Sequence, residues 1–216
     1  MIRRGEPWGS APEGAPDVRV DGDDAALAAT VGRHRGELIR FVPEPSSDIA
    51  RALGLSAAGL VGGTKIPLDA LELDDGTTAS NAAVIGVAPD RLGRRHRRRP
   101  VRVEVDTRVV FDGAASTIVV ATGQFLRGAD LVPRGHPGDG RFEVQVYALD
   151  PGQRTPMRRR LAVGTHVPHP DITEATGRHV VITAERPWPL ELDAHPAAPR
   201  ARLSLTLVPS AYQLLV

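Results

Sequence analysis

The feature that most constrains this chain is a series of short segments after Gly63 that alternate between apolar and polar residues or are short apolar runs. Alternation with a period of two places apolar side chains on one face of a strand, whereas a helix needs a period near 3.6. Short strands separated by proline and glycine are typical of an antiparallel sandwich or barrel. The predicted strands are Val101–Val105, Thr117–Ala121, Phe142–Ala148, His179–Glu185, Leu190–Asp193, Leu203–Val208 and Tyr212–Val216.

The first part of the chain has a different pattern, in which helices and a strand alternate. Asp23–Val31 predicts a short helix with an acidic first turn, where the helix dipole favours negative charge. Ser46–Gly54 predicts a second helix, with a serine N-cap and Gly54 as its stop. Between them, Glu37–Phe41 predicts a strand. One further helix is predicted within the β-rich region, at Pro156–Ala162.

These patterns together predict an α+β protein, in which a small α/β part precedes a larger antiparallel β-sandwich. Residues 1–20, with several prolines and glycines, are expected to be a flexible lead-in. The α/β part is predicted at 21–62 and the β-sandwich at 63–208. Residues 209–216 are expected to form a strand that returns to the first part.

Composition excludes several classes of protein. The 216 residues include no cysteine, which excludes disulfides and thiolate metal sites and makes a reducing cytoplasm the expected compartment. No apolar run approaches the roughly 20 residues of a membrane span, and the first residues contain no apolar signal segment. A net charge of +1 does not indicate a general polyanion binder. Because Lys65 is the only lysine among 27 basic residues, a single arginine carries little functional information.

Several segments, in order and spacing, resemble the catalytic family of bacterial diacylglycerol kinases and related lipid and sphingosine kinases. The resemblance covers roughly residues 35–216 and would make the chain a divergent member of that family. No single motif is highly specific, and the resemblance rests on the order and spacing of the motifs. The matching segments are Ala121–Gly128, Pro133–Gly140, Met157–Leu161, Gly164–Pro170, Leu192–His195 and Leu207–Tyr212.

The loop before the predicted strand at Phe142 implies a metal site by this resemblance. In the family such a loop wraps a structural divalent cation, usually Mg²⁺, which prefers oxygen ligands. The matching ligands here would be the Asp139 side chain and the carbonyl groups of His136 and Arg141. The residues alone favour an ordinary Asp-Gly turn without metal, in which Asp139 bonds to its own backbone, and only the resemblance makes the metal site an equal alternative.

The resemblance also places two turns beside ATP. Asp21–Ala25 matches the family turn G-G-D-G-T, and Glu44–Asp48 matches G-T-G-N-D, where glycine and backbone N–H groups approach phosphate. By this resemblance, the residues at the nucleotide would be Gly22, Asp23, Ser46 and Ser47. Both turns have lost glycines, and extra carboxylates would repel a triphosphate unless a metal intervened. The strands and helices that precede the first motif in the family are expected to be missing.

The catalytic base of the family is matched only in part. Asp193 corresponds to the carboxylate that deprotonates the lipid hydroxyl, while His195 takes the place of a glutamate. A histidine accepts a proton near neutral pH and is a second candidate base. The alternative is that His195 is an ordinary solvated side chain at the end of a strand.

The densest basic segment, Arg94–Arg99, is the candidate surface for an anionic membrane. Nucleic acid is a weaker partner for it, since no aromatic residues are interleaved and aromatic residues make up 4% of the chain. The alternative is that this segment is an ordinary solvated loop.

The resemblance implies one of two alternative functions. The first is a lipid kinase that uses ATP and Mg²⁺ to phosphorylate a lipid such as diacylglycerol, peripheral to the inner membrane face, with a homodimer completing its site. The second is a non-catalytic pseudokinase that binds an anionic lipid or a protein partner through the β domain.

Overall fold

A computed structural model describes residues 9–55, 63–133, 135–162, 164–165 and 168–216. The helices of these residues are α1 Asp24–Val31, α2 Asp48–Leu53 and α3 Pro151–Ala162. The strands are β1 Val18–Gly22, β2 Leu38–Pro43, β3 Lys65–Leu73, β4 Thr78–Ala79, β5 Ala82–Gly86, β6 Arg99–Val105, β7 Arg108–Ala115, β8 Thr117–Ala121, β9 Phe125–Leu126, β10 Ala129–Asp130, β11 Phe142–Tyr147, β12 Ile172–Gly177, β13 His179–Leu192 and β14 His195–Leu215.

Hydrogen bonds join twelve of these strands in one continuous sheet. Its main path runs β1-β2-β14-β13-β5-β8-β11-β12, while β3 and β6 pair with β14 and β13 off that path. The strands β9 and β10 form a separate hairpin. Among the described residues, no helix has both the length and the apolar character needed to cross a membrane.

The larger part of the chain is the β-rich region that the period-two pattern predicts. Its strand pairs are antiparallel, and their inward side chains form a core in which Val103, Phe142, Val144 and Leu205 have no exposed surface. Alternation places these side chains on one face of each strand, and burial of each large apolar side chain stabilises the fold by about 1.5–3 kcal/mol. The α+β class predicted from the sequence is confirmed.

The smaller part of the chain contains parallel pairing. Strand β1 pairs with β2 in parallel, and β2 pairs in parallel with Gln213–Leu215 at the end of β14. The helices α1 and α2 cover this part, with Leu27, Ile39, Ile49 and Leu214 fully buried between the elements. Because β14 also pairs with β13 and β3, one strand connects both parts of the molecule.

Local signals placed the second helix accurately. Ser47 is the N-cap, and its hydroxyl oxygen accepts the N–H of Ala50 at 3.0 Å. Gly54 ends the helix in the left-handed conformation, with φ of 67°. The serine cap and the glycine stop predicted from the sequence are confirmed.

Other elements differ from the sequence-based expectation. Val18–Gly22 forms a strand where the first twenty residues were expected to be a flexible lead-in, because pairing with β2 supplies hydrogen bonds that no local pattern reveals. Helix α3 begins at Pro151 rather than at Pro156, which lies inside the helix. The expected boundary between the two parts, around 57–62, lies outside the described residues.

A two-residue turn joins the longest antiparallel pair. Leu192 pairs with His195, and the turn residues between them, Asp193 and Ala194, have φ of 47° and 67°. Two positive φ angles are the signature of the type I′ hairpin turn, whose second position favours glycine. An alanine at φ of 67° is strained, since its Cβ crowds the backbone.

We expect Ala194→Gly to raise the free energy of unfolding by about 0.5–1 kcal/mol. Release of roughly 1–2 kcal/mol of left-handed strain exceeds the extra unfolded-state entropy of glycine, which is about 0.5–1 kcal/mol. Urea denaturation measures the change. Ala198→Gly, at an exposed position of β14 without positive φ, is the matched control and should destabilise. Destabilisation by Ala194→Gly would contradict the assigned turn.

Candidate functional site

A cavity of about 320 Å³ lies where the N-termini of α1 and α2 meet the turn between β13 and β14. Four residues named from the sequence line it: Asp23, Ser46, Asp193 and His195. The structure thus brings together two of the four residues expected at the nucleotide, Asp23 and Ser46, and both residues expected to act as a base. Their places along the chain are up to 172 residues apart, so this grouping is a product of the fold.

The carboxylate of Asp24 occupies the N-terminus of α2. Its oxygens accept the hydroxyl of Ser47 at 2.5 Å and the N–H groups of Asp48 and Ile49 at 3.0 and 3.3 Å. A helix N-terminus is a natural anion site, and here a carboxyl group of the chain itself occupies it. Burial and, to a smaller extent, the negative charge of Asp193 raise the pKa of Asp24 to about 7, although the Ser47 bond opposes the increase.

The carboxylate of Asp23 caps α1 and also binds a histidine. One oxygen accepts the N–H of Ala26 at 3.0 Å, and the other lies 2.7 Å from Nε2 of His195. Burial alone would raise the pKa of Asp23, but the bonds from Ala26 and His195 outweigh it and lower the pKa below its usual value. Gly22 precedes it with φ of 147°, and a Cβ there would lie 2.8 Å from the Cβ of Ala26, so the turn itself requires glycine.

Asp48, in the first turn of α2, is bonded on the opposite side of the cavity. Its carboxylate accepts the backbone N–H groups of Arg127 and of Gly128, the latter at 2.8 Å. Burial raises the pKa of Asp48, while these two bonds lower it and leave a net increase. The side chain of Arg127 forms ion pairs with Asp90 and Glu191, so its charge is already partly neutralised.

The carboxylate of Asp193 is held entirely by the segment that leads into β5. It accepts the N–H groups of Ser80 and Asn81 at 2.8 Å each and of Ala82 at 2.9 Å, and the Ser80 hydroxyl lies 3.3 Å away. Burial raises the pKa of Asp193 to about 6, although these bonds oppose the increase. A carboxylate with all these donors has little remaining capacity to accept a proton from a substrate.

The loop expected to hold a metal lies apart from this cavity. Asp139 accepts the N–H of Arg141 at 3.1 Å with one oxygen and its guanidinium at 3.1 Å with the other. The carbonyl of His136 accepts the N–H groups of Gly138 and Asp139 at 2.8 and 3.2 Å. A buried aspartate, Asp69, supports the loop by accepting the N–H of Gly140 at 2.7 Å.

These contacts do not supply a ready set of ligands for Mg²⁺. A guanidinium cation already neutralises Asp139, and the carbonyl oxygen of His136 is engaged in the turn. Among the described residues, no cluster of three His, Cys, Asp or Glu side chains is placed to hold a metal ion. The arrangement favours the ordinary Asp-Gly turn, and the site on Asp139, His136 and Arg141 stays a prediction.

Sequence reasoning missed three charged groups that shape these loops: the buried carboxyl groups of Asp48 and Asp69 and the half-buried guanidinium of Arg127. One signal was available. Asp69 interrupts the apolar strand Lys65–Leu73, and a charged residue there must find buried donors. The partners of Asp48 lie 79 and 80 residues away, so no local pattern indicates them.

A family model matches residues 72–216, and its description is the YegS C-terminal NAD kinase beta sandwich-like domain. The matched region contains β4 to β14 and the turn at Asp193, but neither α1 nor α2 and only the last two residues of β3. No curated protein matches the chain in sequence.

Solved structures similar to the chain include kinases. One is a diacylglycerol kinase from Bacillus anthracis strain Sterne, with 18% identity and a TM-score of 0.75, covering 92% of this chain and 76% of that chain. An NAD kinase from Archaeoglobus fulgidus in complex with ATP has 11% identity and a TM-score of 0.53, covering 93% and 78%. Yeast NADH kinase complexed with NADH has 10% identity and a TM-score of 0.55, covering 93% and 61%. At these identities the likeness is one of fold.

The raised pKa of Asp24 predicts how stability varies with pH. Since the native carboxyl group keeps its proton up to about pH 7, the native state binds more protons than the unfolded state between about pH 4 and 7. The stabilisation is complete at low pH and is lost as pH rises through 7. As pH rises, the free energy of unfolding should therefore fall less steeply in Asp24→Asn than in the native sequence, by up to about 1.4 kcal/mol per pH unit.

Urea denaturation at several pH values between 4 and 8 measures this slope for both proteins. Glu44→Gln, an exposed carboxylate in the neighbouring turn, is the control and should leave the slope unchanged. An identical slope in Asp24→Asn and the native sequence would contradict a buried, proton-holding Asp24.

Proposed function

The chain belongs to the family of YegS C-terminal NAD kinase beta sandwich-like domains, and on that premise we propose that it is a non-catalytic member that binds an anionic lipid. Its fold is that of the diacylglycerol kinase and NAD kinase type. Similarity to diacylglycerol kinases supports a lipid as the partner, with the protein working at the periphery of the inner membrane face. The exposed segment Arg94–Arg99 supports contact with anionic headgroups.

One observation carries the non-catalytic reading: the donors that would hold phosphate are bonded to the chain's own carboxylates. Asp24 takes the N–H groups at the start of α2, and Asp23 takes that of Ala26 in α1. Phosphoryl transfer depends on such donors and on positive charge around the triphosphate. Four aspartates line this cavity instead, together with Arg51 and the already paired Arg127.

A second candidate function, an active lipid kinase, is favoured by the contact between Asp23 and His195. This pair opens into the same cavity as Asp193, so a proton acceptor and a buried carboxyl group lie side by side. In this version Mg²⁺ would supply the charge that brings ATP to Gly22, Asp23, Ser46 and Ser47. His195, with its exposed imidazole, is better placed than Asp193 to accept a proton from a lipid hydroxyl.

Thermal denaturation with ATP and Mg²⁺ separates the two functions. We expect no increase in melting temperature for the native sequence, because the helix N-termini already hold carboxylates. A genuine ATP site at a hundredfold excess of ligand would add about 2.7 kcal/mol and raise the melting temperature by roughly 5–10 °C.

Asp24→Gly is the informative variant, because it removes the carboxylate and places a glycine where the family turn has one. Stabilisation of this variant alone by ATP and Mg²⁺ would support the proposal that Asp24 excludes the nucleotide. Stabilisation of the native sequence, or transfer of labelled phosphate from ATP to diacylglycerol, would overturn it. His195→Gln then tests whether any such transfer depends on the proposed base.

A further inference from the structure

A second cavity, of about 600 Å³, lies at the Gly86 end of β5. The candidate site lies near the other end, where Ala82 donates to Asp193. A strand rises about 3.3 Å per residue, so roughly 13 Å of β5 separates the two cavities. The second cavity is lined by Arg95, Arg97, Arg98, Arg99 and Arg186 and by a single carboxylate, that of Glu185.

Most of these arginines are not neutralised. Arg98 pairs with Asp150 at 3.2 Å and donates to the carbonyl of Ala148 at 2.8 Å. The other four form no ion pair with any carboxylate of the described part of the chain. Several guanidinium groups around one concavity raise the local positive potential, and their planar forks match the oxygens of a phosphate group.

The loop that carries three of these arginines is held by a buried one. Arg154 of α3 is 1% exposed and donates to the carbonyl of Gly93 at 3.0 Å, to that of His96, and to that of Leu149 at 3.1 Å. A buried guanidinium is costly unless such acceptors surround it, so these bonds fix the loop against α3. A fixed loop loses little conformational entropy when a ligand binds.

The floor of the cavity is apolar and closely packed. Trp188 lines it while being 2% exposed. A Cβ on Gly86 would lie 2.4 Å from the carbonyl oxygen of Ser116 and 3.1 Å from the Trp188 ring, so only glycine allows this contact. Strand β13 shifts register just before Trp188, and the irregular segment carries Arg186 to the rim. Such bulges often re-aim side chains at binding sites.

We infer that this cavity binds the phosphate monoester headgroup of a lipid. The phosphate would lie among Arg95, Arg97 and Arg186, and the adjoining apolar chain on Trp188 and Pro189. The inference deepens the proposed function, on which it rests, by assigning the anionic lipid a place and a chemistry. A nucleic acid fits less well, because Trp188 is the one Trp, Tyr or Phe side chain among the described residues of the lining and single strands are held by successive aromatic platforms.

Fluorescence of Trp188 reports binding directly. The chain contains two tryptophans, so a Trp8→Phe background leaves Trp188 as the single indole reporter. Dioctanoyl phosphatidic acid should shift its emission in a saturable way, and vesicles containing phosphatidic acid should carry the protein in flotation. Dioctanoylglycerol, which lacks the phosphate, and glycerol 3-phosphate, which lacks the acyl chains, should each bind at least tenfold more weakly.

Charge variants test the site. Replacing Arg95, Arg97 and Arg186 by glutamine should weaken binding of phosphatidic acid about 100-fold, since each basic residue contributes roughly fivefold, the equivalent of ~1 kcal/mol. The matched control replaces Arg40, Arg108 and Arg159, which are exposed elsewhere, and should leave the affinity unchanged. Glu185→Gln should tighten binding by removing the lining carboxylate, a gain that a misfolded variant cannot give.

Three results would overturn the inference. They are equal weakening by both arginine triples, binding of glycerol 3-phosphate as tight as that of phosphatidic acid, or an oligonucleotide that displaces phosphatidic acid at equal charge. Failure of the proposed function has a different signature. Stabilisation by ATP and Mg²⁺ would overturn the non-catalytic reading while leaving phosphatidic acid binding intact.

Discussion

Buried aspartate carboxylates that accept backbone N–H groups from distant segments are the interactions on which this structure depends. Asp24 accepts from the start of α2, Asp48 from the residues after β9, Asp69 from Gly140 and Ser210, and Asp193 from the residues before β5. A buried carboxylate without donors would cost several kcal/mol, and charge-assisted bonds offset much of that cost. The donors that hold the loops together are therefore withheld from any other anion.

The fold that this chain shares with its family is distinct from the side chains that the chain places on that fold. Similar folds include kinases in complex with ATP and with NADH, so the scaffold as such is compatible with nucleotide chemistry. Activity resides in the side chains placed on a scaffold. In this chain the two ends of β5 have opposite electrostatic character, since aspartates gather near Ala82 and arginines near Gly86. A protein built this way attracts anions at one end of β5 and repels them at the other.

Local sequence patterns predicted the parts of the fold that have local causes. Period-two alternation indicated strands such as Phe142–Tyr147, and the serine cap with Gly54 bounded α2 almost to the residue. The strand Val18–Gly22 was not predicted, because only its pairing with β2 makes this segment a strand. The carboxylate bonds of the candidate site were also beyond local patterns, since Asp193 and its donors are 111 to 113 residues apart.

The position of β14 has a consequence for how the chain folds as it is synthesised. This strand pairs with β13, β3 and β2, so elements made early in translation lack a neighbour until residues 195–215 leave the ribosome. Pairings this distant in sequence form slowly, because a long loop must close first. The nascent chain therefore presents the unpaired edges of β2 and β3 for most of its synthesis, and chaperones that shield strand edges would act in that interval.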